Sequence, residues 1–149
     1  MSAWTAIVDG AAAHADVPEN ASLAEALRAS GALSVKVPCA EGMCGGCSVL
    51  LGEQRVHSCL VPAFRAQGAT IRTAASFADG PVARALAEHG GLQCGFCTPG
   101  VVVAVHALPA DVPATVEALR TALSGNLCRC TGYSQLIEGA AAGLRELRK

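Results

Sequence analysis

Over roughly the first half of the chain, apolar positions come in short runs broken by turn formers. Trp4 to Val8 and Ala11 to Val17 flank Asp9-Gly10, a pair that supplies the positive φ of a tight hairpin, so two short strands around a turn are predicted. Leu23, Ala26 and Leu27 then recur at helical spacing, and Ser30-Gly31 supplies a stop. The stretch from Pro38 to Ser48 places Gly42, Gly45 and Gly46 among three cysteines, which suits a loop wrapped around something. Ser48 to Leu51 resumes as a strand, Gly52-Glu53 turns, Gln54 to Leu60 returns toward Cys59, and Ala69 to Arg72 is a last candidate strand. After about residue 75 the pattern becomes helical, with segments predicted at Gly80 to His89, Pro99 to Leu108, Pro113 to Leu123 and Gln135 to Leu147. The apolar run Val101, Val102, Val103 and Val105 reads as bundle core or subunit interface rather than a ligand pocket.

Composition narrows this picture. With 149 residues, 52% of them hydrophobic, the chain can bury a real core, and its length also suits two small domains stiffened by metal centres. A formal net charge of -1 and the absence of a Lys/Arg-rich run exclude a phosphate-gathering field, so nucleic acid is not an expected partner. The N-terminus has no basic segment leading into an apolar one, and no apolar stretch approaches a membrane span. A soluble, cytoplasmic protein without a membrane segment is expected.

The chemistry lies in eight cysteines that fall into two sets of four. Cys39, Cys44, Cys47 and Cys59 follow the C-x4-C-x2-C…C spacing by which plant-type proteins hold a [2Fe–2S] cluster. Thiolates are soft ligands, and each tetrahedral iron of a two-iron cluster needs two of them besides its bridging sulfides. Such a cluster carries negative charge that grows on reduction, so it needs nearby N–H donors, which the glycines let approach. The ferredoxin expectation for its potential is about -400 mV.

The second set, Cys94, Cys97, Cys128 and Cys130, is a C-x2-C…C-x-C arrangement. Gly91-Leu-Gln-Cys-Gly-Phe-Cys-Thr98 echoes Gly125-Asn-Leu-Cys-Arg-Cys-Thr131, and each copy sits between two predicted helices, so two helix hairpins could clamp one centre. Thr98-Pro99 reads as an N-cap followed by proline at the first helical position, with Thr131 placed similarly before the last helix. Both would set unpaired N–H groups beside cysteine. Arg129 either offsets cluster charge or is a solvated surface residue. Two other uses of the sulfurs compete: four disulfides, which suit a secreted scaffold, and four-cysteine zinc sites.

Taken together, Cys39-x4-Cys44-Gly-Gly-Cys47…Cys59, Gly91-Leu-Gln-Cys-Gly-Phe-Cys-Thr-Pro-Gly100 and Gly125-Asn-Leu-Cys-Arg-Cys-Thr-Gly-Tyr133 resemble the iron–sulfur subunit of the xanthine oxidase/aldehyde oxidase family of molybdenum hydroxylases. The likeness runs through essentially the whole chain. It implies an α+β architecture, with an N-terminal β-grasp, plant-type ferredoxin-like domain over residues 1–75 and a C-terminal four-helix [2Fe–2S]-binding domain over 76–149. One cluster would sit on Cys39, Cys44, Cys47 and Cys59, and the other on Cys94, Cys97, Cys128 and Cys130. The resemblance further implies a large molybdopterin-binding subunit that does the substrate chemistry, and a medium FAD-binding subunit, or a cytochrome, that receives the electrons. It sets Gln93 and Cys130 next to the pterin; on the residues alone Gln93 is a loop amide. Departures from the family pattern are Pro38 before Cys39, Gly46 where alanine is frequent, and a short Thr73–Pro81 connection.

His14, His57, His89 and His106 are scattered without metal-ligand spacing, and His57 draws interest only because it lies two residues before Cys59. No P-loop, no G-x-G-x-x-G after a strand and no Ser/His/Asp arrangement is present, so any FAD is expected on a partner. The expected function is that of an electron-transfer subunit of an oxidoreductase, with an independent ferredoxin-like shuttle as the alternative. A zinc-stabilised interaction module is a third class.

Overall fold

Asp9 and Gly10 both take positive φ, 51° and 84°, and turn the chain between β1 (Ser2–Val8) and β2 (Ala11–Val17). Their antiparallel register runs from Ser2 opposite Val17 to Val8 opposite Ala11. Along β1 the pleat sends Trp4, Ala6 and Val8 inward and leaves the alternate residues exposed, as a sheet with one covered face requires. The computed structural model describes all 149 residues and orders the five strands β2-β1-β5-β3-β4, with β3 (Ser48–Leu51), β4 (Gln54–His57) and β5 (Thr70–Arg72). β5 runs parallel to β1 and antiparallel to β3.

Helix α1 (Leu23–Ala29) is opened by a capping box: Glu25 N–H donates to Ser22 Oγ at 3.3 Å, and Ser22 N–H donates to Glu25 Oε2 at 2.7 Å. Its buried face, Leu23, Ala24, Ala26 and Leu27, packs with Trp4, Val49 and Ile71 into one core. The Trp4 indole N–H is satisfied by Ala63 O at 3.0 Å, so the ring is fully usable as apolar filling. The expected return strand is shorter than predicted. β4 ends at His57, and Ser58–Leu60 forms a 3₁₀ turn because Ser58 donates both N–H and Oγ–H to Cys47 O, at 3.3 and 2.7 Å.

Thr73 joins the two halves. Asp9 Oδ1 accepts its N–H at 2.7 Å, Asp9 Oδ2 accepts its hydroxyl at 2.6 Å, and the hydroxyl oxygen caps a 3₁₀ turn at Ala74–Phe77. Phe77 stacks on His106 with centroids 4.0 Å apart, and the Arg72 guanidinium lies over the Phe77 ring at 5.5 Å. Beyond it come α2 (Pro81–Glu88), α3 (Thr98–His106), α4 (Val116–Ala122) and α5 (Ser134–Leu147).

Helices α2 and α5 cross at close range: a Cβ on Gly143 would lie 2.6 Å from Val82 Cα, and one on Gly139 would lie 3.0 Å from Ala85 O. Val101, Val102, Ala104 and Val105 are buried in a second core with Val82, Leu86, Leu119, Ile137 and Leu144, and Val103 is buried outside that cluster, so the valine run is interior to this chain. Two helix starts differ from expectation. α4 begins at Val116 because Thr115, not the Pro113 region, caps it through a bond from Ala118 N–H at 3.3 Å. α3 already includes Thr98, since Cys97 takes near-helical angles and occupies the cap position; Thr98 Oγ1 is buried without a hydrogen-bond partner. No helix is long and apolar enough to cross a membrane.

Candidate functional site

The first cysteine loop runs between α1 and β3. Ala40, Gly42 and Gly45 take positive φ there, so the chain curls back on itself. Space also restricts position 46, where a Cβ would meet the Pro38 ring at 2.7 Å, while at position 42 it is the positive φ that favours glycine. His57 Nδ1 lies 2.9 Å from Gly42 O and so ties β4 to the loop.

This curl pairs the sulfurs. Glu41 N–H donates to Cys39 Sγ at 3.4 Å; that bond, followed by one from Cys44, lowers the Cys39 thiol to about 6. Burial raises Cys44. Burial and then the neighbouring Cys47 thiol raise Cys59 to about 11. The loop therefore groups Cys39 with Cys44 and Cys47 with Cys59.

The other four cysteines sit on the α2–α3 and α4–α5 loops, which the bundle brings face to face. Cys94 and Cys130, 36 positions apart in sequence, have their sulfurs 3.4 Å apart. Phe96 N–H points at Cys94 Sγ at 3.5 Å and, with Cys130, lowers the Cys94 thiol, while the Cys94 sulfur raises Cys130. Cys97 is paired with Cys128. Burial foremost, then Cys128, pushes Cys97 up to about 12. Burial also acts to raise Cys128, but the Thr131 hydroxyl at 3.2 Å and the N–H groups of Thr131 and Cys130 outweigh it and bring it to about 7.

Tyr133 completes this loop. Its backbone has φ 73°, an uncommon region for a residue with a side chain. Two bonds hold it there: Tyr133 N–H donates to Thr131 Oγ1 at 3.2 Å, and Cys128 N–H donates to Tyr133 Oη at 2.9 Å. The Thr131 hydroxyl thus serves the cysteine loop rather than capping a helix, since the cap position of α5 is Tyr133. Gln93 and Arg129 are both exposed beside these cysteines.

The two sets of cysteine loops touch. Leu127 N–H donates to Cys44 O at 3.0 Å, and Asn126 Nδ2 donates to Gly45 O at 3.4 Å. Helix α3 seats on the first loop at Gly100, where a Cβ would lie 2.3 Å from Gly45 O. Pro38 of the first loop shares a groove of about 190 Å³ with Cys94, Phe96, Cys97, Leu127, Cys128, Arg129 and Cys130. Asn126, Tyr133 and Gly100 are the structurally important residues that the motif reading left without a role. A glycine inside the first turn of a valine-rich helix was the available signal for Gly100. His14 is exposed, His89 Nδ1 lies 2.9 Å from Ala85 O, and His106 belongs to the Phe77 stack.

A ferredoxin-type sheet and helix carrying one cysteine loop, joined to helices carrying two more, defines a [2Fe–2S] protein. The model of the 2Fe-2S iron-sulfur cluster binding domain matches residues 6–76, and that of the [2Fe-2S] binding domain matches residues 70–141. The chain is 45% identical over 122 residues to the xanthine dehydrogenase iron-sulfur-binding subunit of Escherichia coli O157:H7, covering 77% of each chain. It is 43% identical to the nicotine 6-hydroxylase small subunit of Paenarthrobacter nicotinovorans, over 78% of this chain and 74% of that one. Quinoline 2-oxidoreductase from Pseudomonas putida 86 superposes with a TM-score of 0.89 at 33% identity, covering 99% of this chain and 96% of that one. The aldehyde oxidoreductase of Desulfovibrio desulfuricans matches with a TM-score of 0.87 at 37% identity over 99% of this chain but 17% of its own, so there the same unit is part of a longer polypeptide. This chain belongs to the iron–sulfur subunits of the xanthine oxidase/aldehyde oxidase family of molybdenum hydroxylases, and is a component of an oxidoreductase.

Proposed function

We propose that this chain carries two [2Fe–2S] clusters and relays electrons from a molybdopterin-containing subunit to an FAD subunit or another acceptor. Cys39, Cys44, Cys47 and Cys59 hold one cluster on a β-grasp unit spanning residues 1–75. Cys94, Cys97, Cys128 and Cys130 hold the other on a four-helix unit spanning 76–149. The observation that carries the reading is that the sulfurs come together two by two, as at Cys94 and Cys130, 3.4 Å apart. Two thiolates per iron is the requirement of a diiron cluster, whereas a zinc ion needs four on one centre. When bound, such clusters supply one-electron carriers.

The chain's own residues do the rest. The N–H groups of Glu41 and Phe96 and the Thr131 hydroxyl aim positive charge at sulfur, where added electron density accumulates. Cys94 and Cys130 are exposed, and Leu92, Phe96, Leu127 and Tyr133 around them leave large apolar surface uncovered, which suits docking of the large subunit at this edge. Gln93, exposed on the same loop, and Cys130 are the residues that would face the pterin. All eight cysteines are free of disulfides, so all are available as thiolate ligands.

The test is purification from an anaerobic culture. We expect about four irons per chain, two for each cluster, a visible band that dithionite bleaches, and a co-purifying large chain that contains molybdenum. A colourless protein with stoichiometric zinc would refute the reading.

A further inference from the structure

The contact between the ligand loops is built around a single buried polar side chain. Asn126 is 4% exposed, one of four buried polar residues in the chain. Its Nδ2 donates to Gly45 O at 3.4 Å, and its Oδ1 accepts from Arg55 NH1 at 3.5 Å, so both ends of the carboxamide are used. Its backbone N–H is fixed by Leu123 O at 2.9 Å, at the end of α4. The acceptor is equally fixed, because Gly45 O also takes Ser48 N–H at 3.2 Å and Ser48 Oγ–H at 2.8 Å. Gly45 cannot carry a larger residue, since its Cβ would lie 2.6 Å from Asn126 Nδ2 and 2.7 Å from Gly125 O. The next residue along, Leu127, donates its N–H to Cys44 O. Cys44 precedes Gly45, and Cys128 follows Leu127.

We propose that Asn126 is a positioning residue that locks the two ligand loops in register, its carboxamide clamped between Gly45 and Arg55 so that Leu127 meets Cys44. This inference rests on the two-cluster reading above. A buried amide is suited to the task because its donor and acceptor each have one partner across the contact, whereas an apolar residue of the same size would make neither bond and would not specify the offset between loops. The consequence is a fixed separation and orientation between Cys44 and Cys128, and so between the clusters they would hold.

The test uses the full, cluster-loaded chain and two readouts. With both clusters reduced by dithionite, low-temperature EPR reads their mutual magnetic splitting, which depends steeply on separation and orientation. Hydrogen exchange reads the protection of the Leu127 amide. Asn126→Leu is expected to retain iron and each cluster's own g-values while losing the splitting, with Leu127 exchanging at least about tenfold faster, equivalent to about 1.4 kcal/mol. Arg55→Ala, at an exposed position, is expected to shift both readouts in the same direction by less. Leu144→Ala, which destabilises the helical core away from the loops, should leave the splitting as in the parent. Parent-like splitting and Leu127 protection in Asn126→Leu overturn the proposal. Should that variant fail to hold iron, unchanged Leu127 protection in Arg55→Ala overturns it. A parent chain without iron would instead sink the two-cluster reading, and Leu127 exchange in the variants would still decide the clamp.

Discussion

Replacing Gly100 by alanine should unseat helix α3 from the first cysteine loop. In a helix interior this change ordinarily stabilises by roughly 0.5–1 kcal/mol, because alanine restricts the unfolded chain. Here the new Cβ would lie 2.3 Å from Gly45 O, 2.9 Å from Gly46 Cα and 3.0 Å from Gly45 C, where ordinary contact begins at 3.4 Å. All three atoms are backbone, and none can swing aside. Gly45 is held by Ser48 and Gly46 lies against Pro38, so helix and loop must part by about an ångström. Overpacking of this kind costs about 1–3 kcal/mol. Separation also weakens the Leu127–Cys44 and Asn126–Gly45 bonds, at about 0.5–1.5 kcal/mol each. After the helix gain is subtracted, a net loss of about 1–5 kcal/mol is expected, a fall in Tm of roughly 3–20 °C for a chain of this size. Thermal scans of the loaded chain, followed by far-ultraviolet circular dichroism and by the visible band, measure it. Gly125→Ala is the control, because its Cβ would meet nothing within 4 Å. A Gly100→Ala protein that melts at or above the parent temperature would refute the seating of α3 on the loop.

Two further outcomes follow from the thiols and from the stacked histidine. In the metal-free chain at about pH 7, iodoacetamide should modify Cys39 well before Cys59 or Cys97, because a thiol at about 6 is mostly thiolate there while those at about 11 and about 12 are protonated. Mass spectrometry of the labelled peptides checks this, and equal rates at the three sites would count against the loop geometry. Burial first, and Arg72 second, lower the His106 imidazole below 6.5. The folded chain then binds fewer protons than the unfolded one as pH falls through that value, so stability drops toward acid. His106→Phe keeps a ring against Phe77 and should flatten the dependence between about pH 7.5 and about pH 5.5 in urea unfolding; an identical slope in the two proteins would contradict the assignment.

What could be read along the chain is what its short-range chemistry decides. The Asp9-Gly10 turn, the helix at Leu23 and the curl of the first ligand loop depend on residues that are close together in sequence, so spacing and glycine placement were enough. Where two local preferences compete, the reading slipped. Thr98-Pro99 has the composition of a helix start, but Cys97 already holds near-helical angles and takes the cap position one residue earlier. The return strand toward Cys59 stops at His57 because Ser58 is drawn to Cys47 O, a bond spanning 11 positions. The pairing of Cys94 with Cys130 spans 36 positions, and the bond from Asn126 to Gly45 spans 81. Such contacts are made by the packing of the finished bundle on the finished loop, and nothing in either segment alone announces them.

That dependence has a physical consequence for how the two halves must be built. The sheet and the helices each bury a separate core, residues 4–71 in one and 82–144 in the other, which would let them drift as independent domains. Three ties oppose this, at Asp9 with Thr73, at Phe77 with His106, and at Cys44 and Gly45 with Leu127, Asn126 and Gly100. The first two fix the connecting segment, which is distant in sequence from every cysteine except through the fold. Only the third lies on the ligand loops themselves, so it alone converts a firm connection between domains into a firm distance between sulfurs. The glycines there are best understood in that light: alanine at 45 or 100 would leave each loop its own cysteines and still spoil the gap between them.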